Sequence, residues 1–196
     1  MIDSVRGFMP ADEGSALREA ALTASSGTWL EIGSYCGKST LYLAAAARQR
    51  AAEVVTLDHH YGSEENQPGW QWHDESLVDP ATGRLDTLPQ LRATLRAAAV
   101  EDIVSVLVAS TQQVARWWRT PLELLFLDGN HTDVVAQHDY AAFASHISIG
   151  GLLIVHDVFE DPADGGQAPW RVVQRALAEG FTEVSRTGSL QVLARL

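Results

Sequence analysis

Glu31-x-Gly33-x-x-x-Gly37-x-Ser39 sets two glycines and two serines, Ser34 and Ser39, between an apolar run and a helix-forming run. Glycines at such a turn let the backbone approach a ligand, and the helix behind supplies unpaired N–H groups. A tight strand-to-helix connection that binds nothing uses the same residues. Asp58 favours a ligand: it ends the next apolar run, 25 residues beyond Gly33, where a carboxylate accepts both hydroxyls of a ribose. His59 follows it. A nicotinamide dinucleotide prefers Gly-x-Gly-x-x-Gly, and Tyr35 stands where that pattern has its second glycine. The Gly33-to-Gly37 spacing suits an adenosine ligand without pyrophosphate, and Glu31 is placed to face a cationic amino-acid group. Together these features favour S-adenosylmethionine and disfavour a nicotinamide-dependent oxidoreductase.

Two further acids, Asp128 and Asp157, end two later apolar runs, with His131 and His156 beside them. Carboxylates that converge at strand ends need a cation or a shared proton, because like charges close together raise one pKa. A divalent ion of the magnesium, manganese or iron type, held by Asp128, Asp157 and His131, meets that need; a hydrogen-bonded strand-end network is the alternative. His131, with an ordinary pKa of about 6.5, is suited to take a proton from a hydroxyl; as a solvated helix-start residue it would do no chemistry. His60, Tyr61, Trp70, Trp72 and His73 form a third group, in a polar stretch over 59–86. Such a stretch closes over an aromatic or glycosyl acceptor, or packs its tryptophans on the domain. Trp117-Trp118-Arg119 reads as core or interface packing. Cys36 reads as a small packed residue.

The elements that must position these groups follow from periodicity. A first helix runs after Pro10 through Leu17, Ala20, Ala21 and Ala24, and Ser25-Ser26-Gly27 stops it. Strands are expected at 28–32, 53–58, 104–108, 122–127 and 152–155, with Gly150-Gly151 turning into the last. Helices between them start at Thr87-Leu88-Pro89, at Thr111, capping a short helix through Trp117 and Trp118, and at Thr132. Pro169 opens another helix, which Gly180 ends. Phe181–Arg186 and Leu190–Leu193 form a hairpin around Thr187-Gly188. Strands alternating with helices and closed by a hairpin indicate an α/β sandwich, mainly parallel with an antiparallel edge.

The chain has 196 residues, 46% of them hydrophobic, enough for one well-packed domain spanning 1–196. Its net charge of -11 repels phosphate backbones and anionic membranes, which disfavours nucleic acid and membrane partners. No apolar run approaches the roughly 18–20 residues of a membrane span, and Met1–Arg6 lacks the order of a secretory signal. A cytoplasmic location is therefore expected. One cysteine excludes an intrachain disulfide. The hairpin edge and the tryptophans serve a homodimer or pack within a monomer.

The segment Leu30-Glu31-Ile32-Gly33-Ser34-Tyr35-Cys36-Gly37-Lys38-Ser39 resembles the first motif of catechol O-methyltransferase and its relatives, class I S-adenosylmethionine-dependent enzymes. Ala109-Ser110-Thr111 resembles the family's adenine-holding segment. Phe126-Leu127-Asp128 is similar to the strand end whose aspartate meets cofactor and magnesium, and Gly151 to Asp157 to the strand bearing the second metal aspartate. The likeness covers roughly 28–159 and is closer still to a bacterial branch of small class I methyltransferases. It implies a Rossmann-like, seven-stranded methyltransferase sandwich moving a methyl group to a small-molecule acceptor, most readily a hydroxyl oxygen. Glu31, Gly33, Ser34, Gly37, Ser39, Asp58, His59, Ser110, Thr111 and Asp128 would hold the cofactor; His131, Asp128 and Asp157 would carry catalysis. Two positions depart from the family: Val158 stands where its third metal ligand, an asparagine, is found, and His131 where its lysine base is found. A non-catalytic S-adenosylmethionine-binding module that regulates a partner is the alternative.

Overall fold

The computed structural model describes residues 2–130 and 132–196. Their order is α1 (Ala11–Ala21), β1 (Thr28–Ile32), α2 (Lys38–Arg50), β2 (Glu53–Asp58), β3 (Val78–Asp79), β4 (Arg84–Leu85), α3 (Leu88–Ala97), β5 (Val104–Val108), α4 (Thr111–Ala115), β6 (Leu122–Leu127), α5 (Asp133–Phe143), β7 (Ile147–Val155), α6 (Ala168–Ala178), β8 (Phe181–Thr187) and β9 (Leu190–Arg195). Seven strands form one sheet in the order β5-β2-β1-β6-β7-β9-β8. The first five pair in parallel, and β9 joins β7 and β8 antiparallel. This is the Rossmann-like sandwich with a C-terminal antiparallel hairpin that the strand pattern and the resemblance predict.

Alternation along the strands splits the core into two layers, because successive side chains point to opposite faces. Trp29, Leu124, Phe126, Leu152, Ile154 and Val192 pack with Leu17 and Ala21 of α1 and Leu43 of α2, on one face. Leu30, Ile32, Leu125, Leu127, Leu153 and Val155 pack with Val114, Tyr140, Phe143 and Val173 of α4, α5 and α6, on the other. Runs that are apolar at every position, such as Leu124–Leu127, are what a strand covered on both faces requires.

Three local expectations are corrected. β7 begins at Ile147 and runs through Gly150-Gly151, which are part of the strand; the register against β6 shifts between Leu122 and Leu124. α4 ends at Ala115 with Ser110, not Thr111, as its N-cap: Ser110 and Gln113 form a reciprocal capping box. Trp118 therefore lies outside the helix, buried edge-on against Phe143 with its indole N–H donating to Thr120. Thr87 is the N-cap of α3 without a side-chain bond to it. Its hydroxyl is 2.7 Å from Nδ1 of His60, and Asp86 Oδ1 accepts from the Leu88 N–H instead. The 59–86 stretch is folded: it holds 3-10 turns at Glu64–Asn66 and Glu75–Leu77 and the β3–β4 ribbon, whose Leu85 packs with Leu77 on buried Cys36. Among the described residues no helix is long and apolar enough to cross a membrane.

Candidate active site

Parallel register places the chemistry in one line. Ile32 pairs with Leu57 on one side and Leu127 on the other; Leu127 pairs with Val155, and Leu57 with Leu107. The next residue on each strand, Gly33, Asp58, Asp128 or His156, is therefore carried to the same C-terminal edge. Backbone bonds continue the ladder one step past the strands, from Gly33 N to Leu57 O, Asp128 N to Ile32 O and His156 N to Leu127 O. Chain order reverses at β1, which has β2 on one side and β6 on the other. Open α/β sheets bind ligands at such a switch point. A cleft of about 1020 Å³ lies there, lined by Gly33, Ser34, Asp58, Ser110, Thr111, Asp128, His156 and Asp157 among others.

Gly33 shows how tightly the edge is built. Its φ is +88°, and a Cβ would fall 2.2 Å from the carbonyl oxygen of Asp128. Asp58 draws the loop inward: its Oδ2 accepts from the N–H groups of Ser34 and Tyr35 at 3.1 and 3.0 Å, and its Oδ1 from His60 N–H at 2.7 Å. Ser34 Oγ, buried on the cleft wall, has no hydrogen-bond partner among the described residues. A polar ligand fits there, since a buried hydroxyl left unpaired costs about 1–3 kcal/mol.

Glu31 does not face the cleft as expected. It is fully buried on the α1/α2 face of the sheet, where Ser39 and Thr40 hydroxyls donate to its two oxygens at 2.6 Å each. Burial pushes its carboxyl up to about 7, against the pull of those hydroxyls. Glu31 thus ties β1 to the start of α2, and Ser39, though at the cleft wall, spends its hydroxyl on it. Gly37 is the N-cap of α2, packed under Leu91 and Thr94 of α3 and off the cleft.

Asp128, His156 and Asp157 form a cluster whose ligand-type atoms all lie within 4.8 Å of one another. His156 Nδ1 is 2.9 Å from Asp128 Oδ1 and 3.4 Å from Asp157 Oδ2, while its Nε2 is 2.6 Å from Glu13 Oε2. Burial opposes a charge on the ring, but the Asp128 charge and the bonds to Asp128, Asp157 and Glu13 raise its pKa to about 12. Three carboxylates around one imidazole require a cation, either a proton or a metal ion. Two carboxylates and an imidazole nitrogen gathered this closely are a donor set that a divalent ion could take. Val158 is buried in the core and offers no third oxygen. Of the expected metal set, Asp128 and Asp157 lie in this cluster, where the imidazole is that of His156; His131 lies outside the described residues.

Ser110 and Thr111 line the other end of the cleft, where Thr111 donates to buried Asp139 at 2.5 Å. Burial raises the Asp139 carboxyl to about 6. His138 beside it also lines the cleft, and its buried Nε2 is unpaired among the described residues. Of the 59–86 group, His59 and Trp72 reach the cleft; His60, Tyr61, Trp70 and His73 do not. His60 is buried, and burial lowers its pKa. Tyr61 lies stacked on His59. Trp70 is exposed, and His73 bonds Asn66 O and Glu75.

Sequence reasoning missed the segment 6–9, which lines the cleft. Phe8 stands 5.3 Å from the Tyr35 ring and 5.1 Å from that of Trp72, and Arg6 pairs with Asp74 at 3.0 Å. An aromatic two residues before Pro10, outside any element, was the available signal. It missed Glu13, Asp139 and His138 as well; an acid in a helix's first turn carries no mark of a distant partner.

A methyltransferase-domain family model matches residues 30–158. Among solved structures, cofactor-bound Rv0187 from MTB aligns with TM-score 0.64 at 22% identity, covering 97% of this chain and 83% of that one. The O-methyltransferase from Bacillus cereus in complex with SAH gives 0.62 at 18%, covering 96% and 83%. TomG from Streptomyces achromogenes, an O-methyltransferase involved in tomaymycin synthesis and solved with SAM, gives 0.64 at 17%, covering 96% and 81%. The match spans β1 to the end of β7, the five parallel strands whose edge carries the cleft. The chain belongs to the methyltransferase-domain family and has the class I, S-adenosylmethionine-dependent methyltransferase fold.

Proposed function

We propose that this protein transfers the methyl group of S-adenosylmethionine to a hydroxyl oxygen of a small molecule, assisted by a divalent metal ion at Asp128, His156 and Asp157. The observation that carries the reading is the line Gly33, Asp58, Asp128 and His156 along one sheet edge, opening on a cleft of about 1020 Å³. Ligand pockets measure about 300–1,000 Å³, and this cleft stands at the top of that range, as a site for a large cofactor beside a small acceptor requires. The cofactor, when bound, would supply a sulfonium methyl, and a metal ion held by Asp128, His156 and Asp157 would polarise the acceptor oxygen.

The chain's own work is alignment and proton removal. Gly33 and Ser34 would seat the amino-acid part, Asp58 with His59 the ribose, and Ser110 and Thr111 the adenine. Ser34 Oγ, without a hydrogen-bond partner among the described residues, is free to make that contact. Phe8 and Trp72 would bear on the acceptor with a planar or apolar face. In-line transfer forms an oxygen–methyl bond as the carbon–sulfur bond breaks, and the hydroxyl proton leaves to a base. His131, following the cleft-lining Asn130 in sequence, keeps the base role on sequence position. TomG and the Bacillus cereus protein, both named O-methyltransferases, support the choice of oxygen.

The test combines calorimetric titration with S-adenosylhomocysteine and NAD, and labelled methyl transfer to a panel of hydroxylated small molecules with Mg2+ or with chelator. Binding of S-adenosylhomocysteine but not NAD, metal-dependent transfer, and loss of transfer in Asp157→Asn with binding intact are the expected results. Tight NAD binding alone would overturn the reading. Binding without transfer, with Asp157→Asn silent in the cell, would make this a regulatory module.

A further inference from the structure

We propose that Glu13 is a positioning residue for the Asp128–His156–Asp157 cation site, holding His156 with its Nε2 proton turned inward and Nδ1 toward the cleft. The inference rests on the divalent-metal reading above.

Glu13 sits in the first turn of α1 and is 6% exposed, whereas its neighbour Asp12 is exposed. An acid placed for the helix dipole alone has no reason to be the buried one. Its Oε1 accepts from the backbone N–H of Ser189 at 2.7 Å, and Ser189 Oγ lies 3.2 Å from both oxygens. The other oxygen, Oε2, faces His156 Nε2 at 2.6 Å. A backbone N–H can only donate, so Oε1 must accept. A carboxylate can accept on its second oxygen too, which sets the ring's proton on Nε2. With that proton held on Nε2, Nδ1 is the ring nitrogen left for Asp128 and Asp157 at 2.9 and 3.4 Å: it donates to them while the ring is charged, and ligates when a metal ion takes the place of its proton. Gly188, in the β8–β9 turn, leaves the room: a Cβ there would fall 2.1 Å from Glu13 Oε1. α1, the end of β7 and the hairpin turn therefore meet on one carboxylate whose target is the unseen edge of the imidazole. A ligating histidine commonly donates its other N–H to a carboxylate, and losing that partner weakens metal binding about 10- to 100-fold.

Glu13→Gln tests this in the full chain. An amide replaces one of the two accepting oxygens by a donating NH2, so it cannot accept from Ser189 N–H on one side and His156 Nε2–H on the other; the ring proton is driven to Nδ1, where it faces Asp128. Mn2+ binding, followed by electron paramagnetic resonance without acceptor or turnover, is expected to weaken about 10- to 100-fold, with S-adenosylhomocysteine affinity within about twofold. Should wild type bind Mn2+ and Glu13→Gln bind it equally, the proposal is overturned and the metal reading stands. Should wild type itself bind no Mn2+, both are overturned. Should Glu13→Gln fail to fold, nitrogen-15 NMR of His156 in the wild type decides. A proton on Nε2 with Mg2+ shifting the Nδ1 resonance supports the proposal, and a proton on Nδ1 in the presence of Mg2+ overturns it.

Discussion

Asp58 holds the glycine loop from beneath: Ser34, 24 residues earlier, donates its backbone N–H to the Asp58 carboxylate at 3.1 Å, and Tyr35 does the same at 3.0 Å. The acid expected to bind ribose is thus also the anchor of the loop that would seat the amino-acid part of the cofactor. Asp58→Asn puts a donor among donors. Hydrogen bonds to charged groups contribute about 1.5–3 kcal/mol, so S-adenosylhomocysteine affinity should fall roughly 10- to 150-fold in calorimetry. An unchanged affinity would separate Asp58 from cofactor binding.

Gly33→Ala meets the Asp128 carbonyl and must also hold an L residue at φ +88°. Backbone strain of that kind costs about 1–3 kcal/mol, and the steric conflict adds to it. A lower melting temperature and loss of S-adenosylhomocysteine binding are expected together. A variant that melts like wild type would show that the loop and the β6 end are not in contact.

Glu31 gives stability a pH dependence of definite sign. Its carboxyl, held up at about 7 by burial, has an ordinary value of 4.5, so the folded chain binds the proton more tightly than the unfolded one. The stabilisation is full below about 4.5 and is lost as pH rises through about 7. Thermal melts between pH 5 and 8 should show wild type losing stability relative to Glu31→Gln. Parallel profiles would mean that Glu31 is not protonated in the fold.

Trp72→Ala and Phe8→Ala remove rings that touch each other at the cleft mouth and are roughly half exposed. Stability should change by about 0.5 kcal/mol or less. KM for the acceptor should rise severalfold while S-adenosylhomocysteine affinity holds. Equal losses of both affinities would place the rings on the cofactor instead.

The sheet was legible because each parallel strand is a short apolar run and most end in the polar residue that the edge presents, as Leu57-Asp58 and Leu127-Asp128 do. The hairpin was legible from its turn. The start of β7 was not, since Gly150-Gly151 has turn chemistry yet lies within the strand. The α4 cap is legible in Ser110-x-x-Gln113, a capping pattern that starts one residue before Thr111. At the site, residue type gave the acids their place, but orientation did not follow from it. Glu31 and His60 sit next to cleft residues in sequence and turn into the core, because strand alternation and a positive φ at His60 (+66°) aim them there. Glu13 was beyond reach: its partners are fixed only by how α1 packs across the finished sheet.

Because Glu13 is bonded to Ser189, 176 residues later, as well as to His156, the site closes across almost the whole chain. The backing of His156 therefore belongs to no single stretch of sequence: a change in the β8–β9 turn, far from the cleft in the chain, loosens the Ser189 hold on Glu13 and with it the ring at the sheet edge.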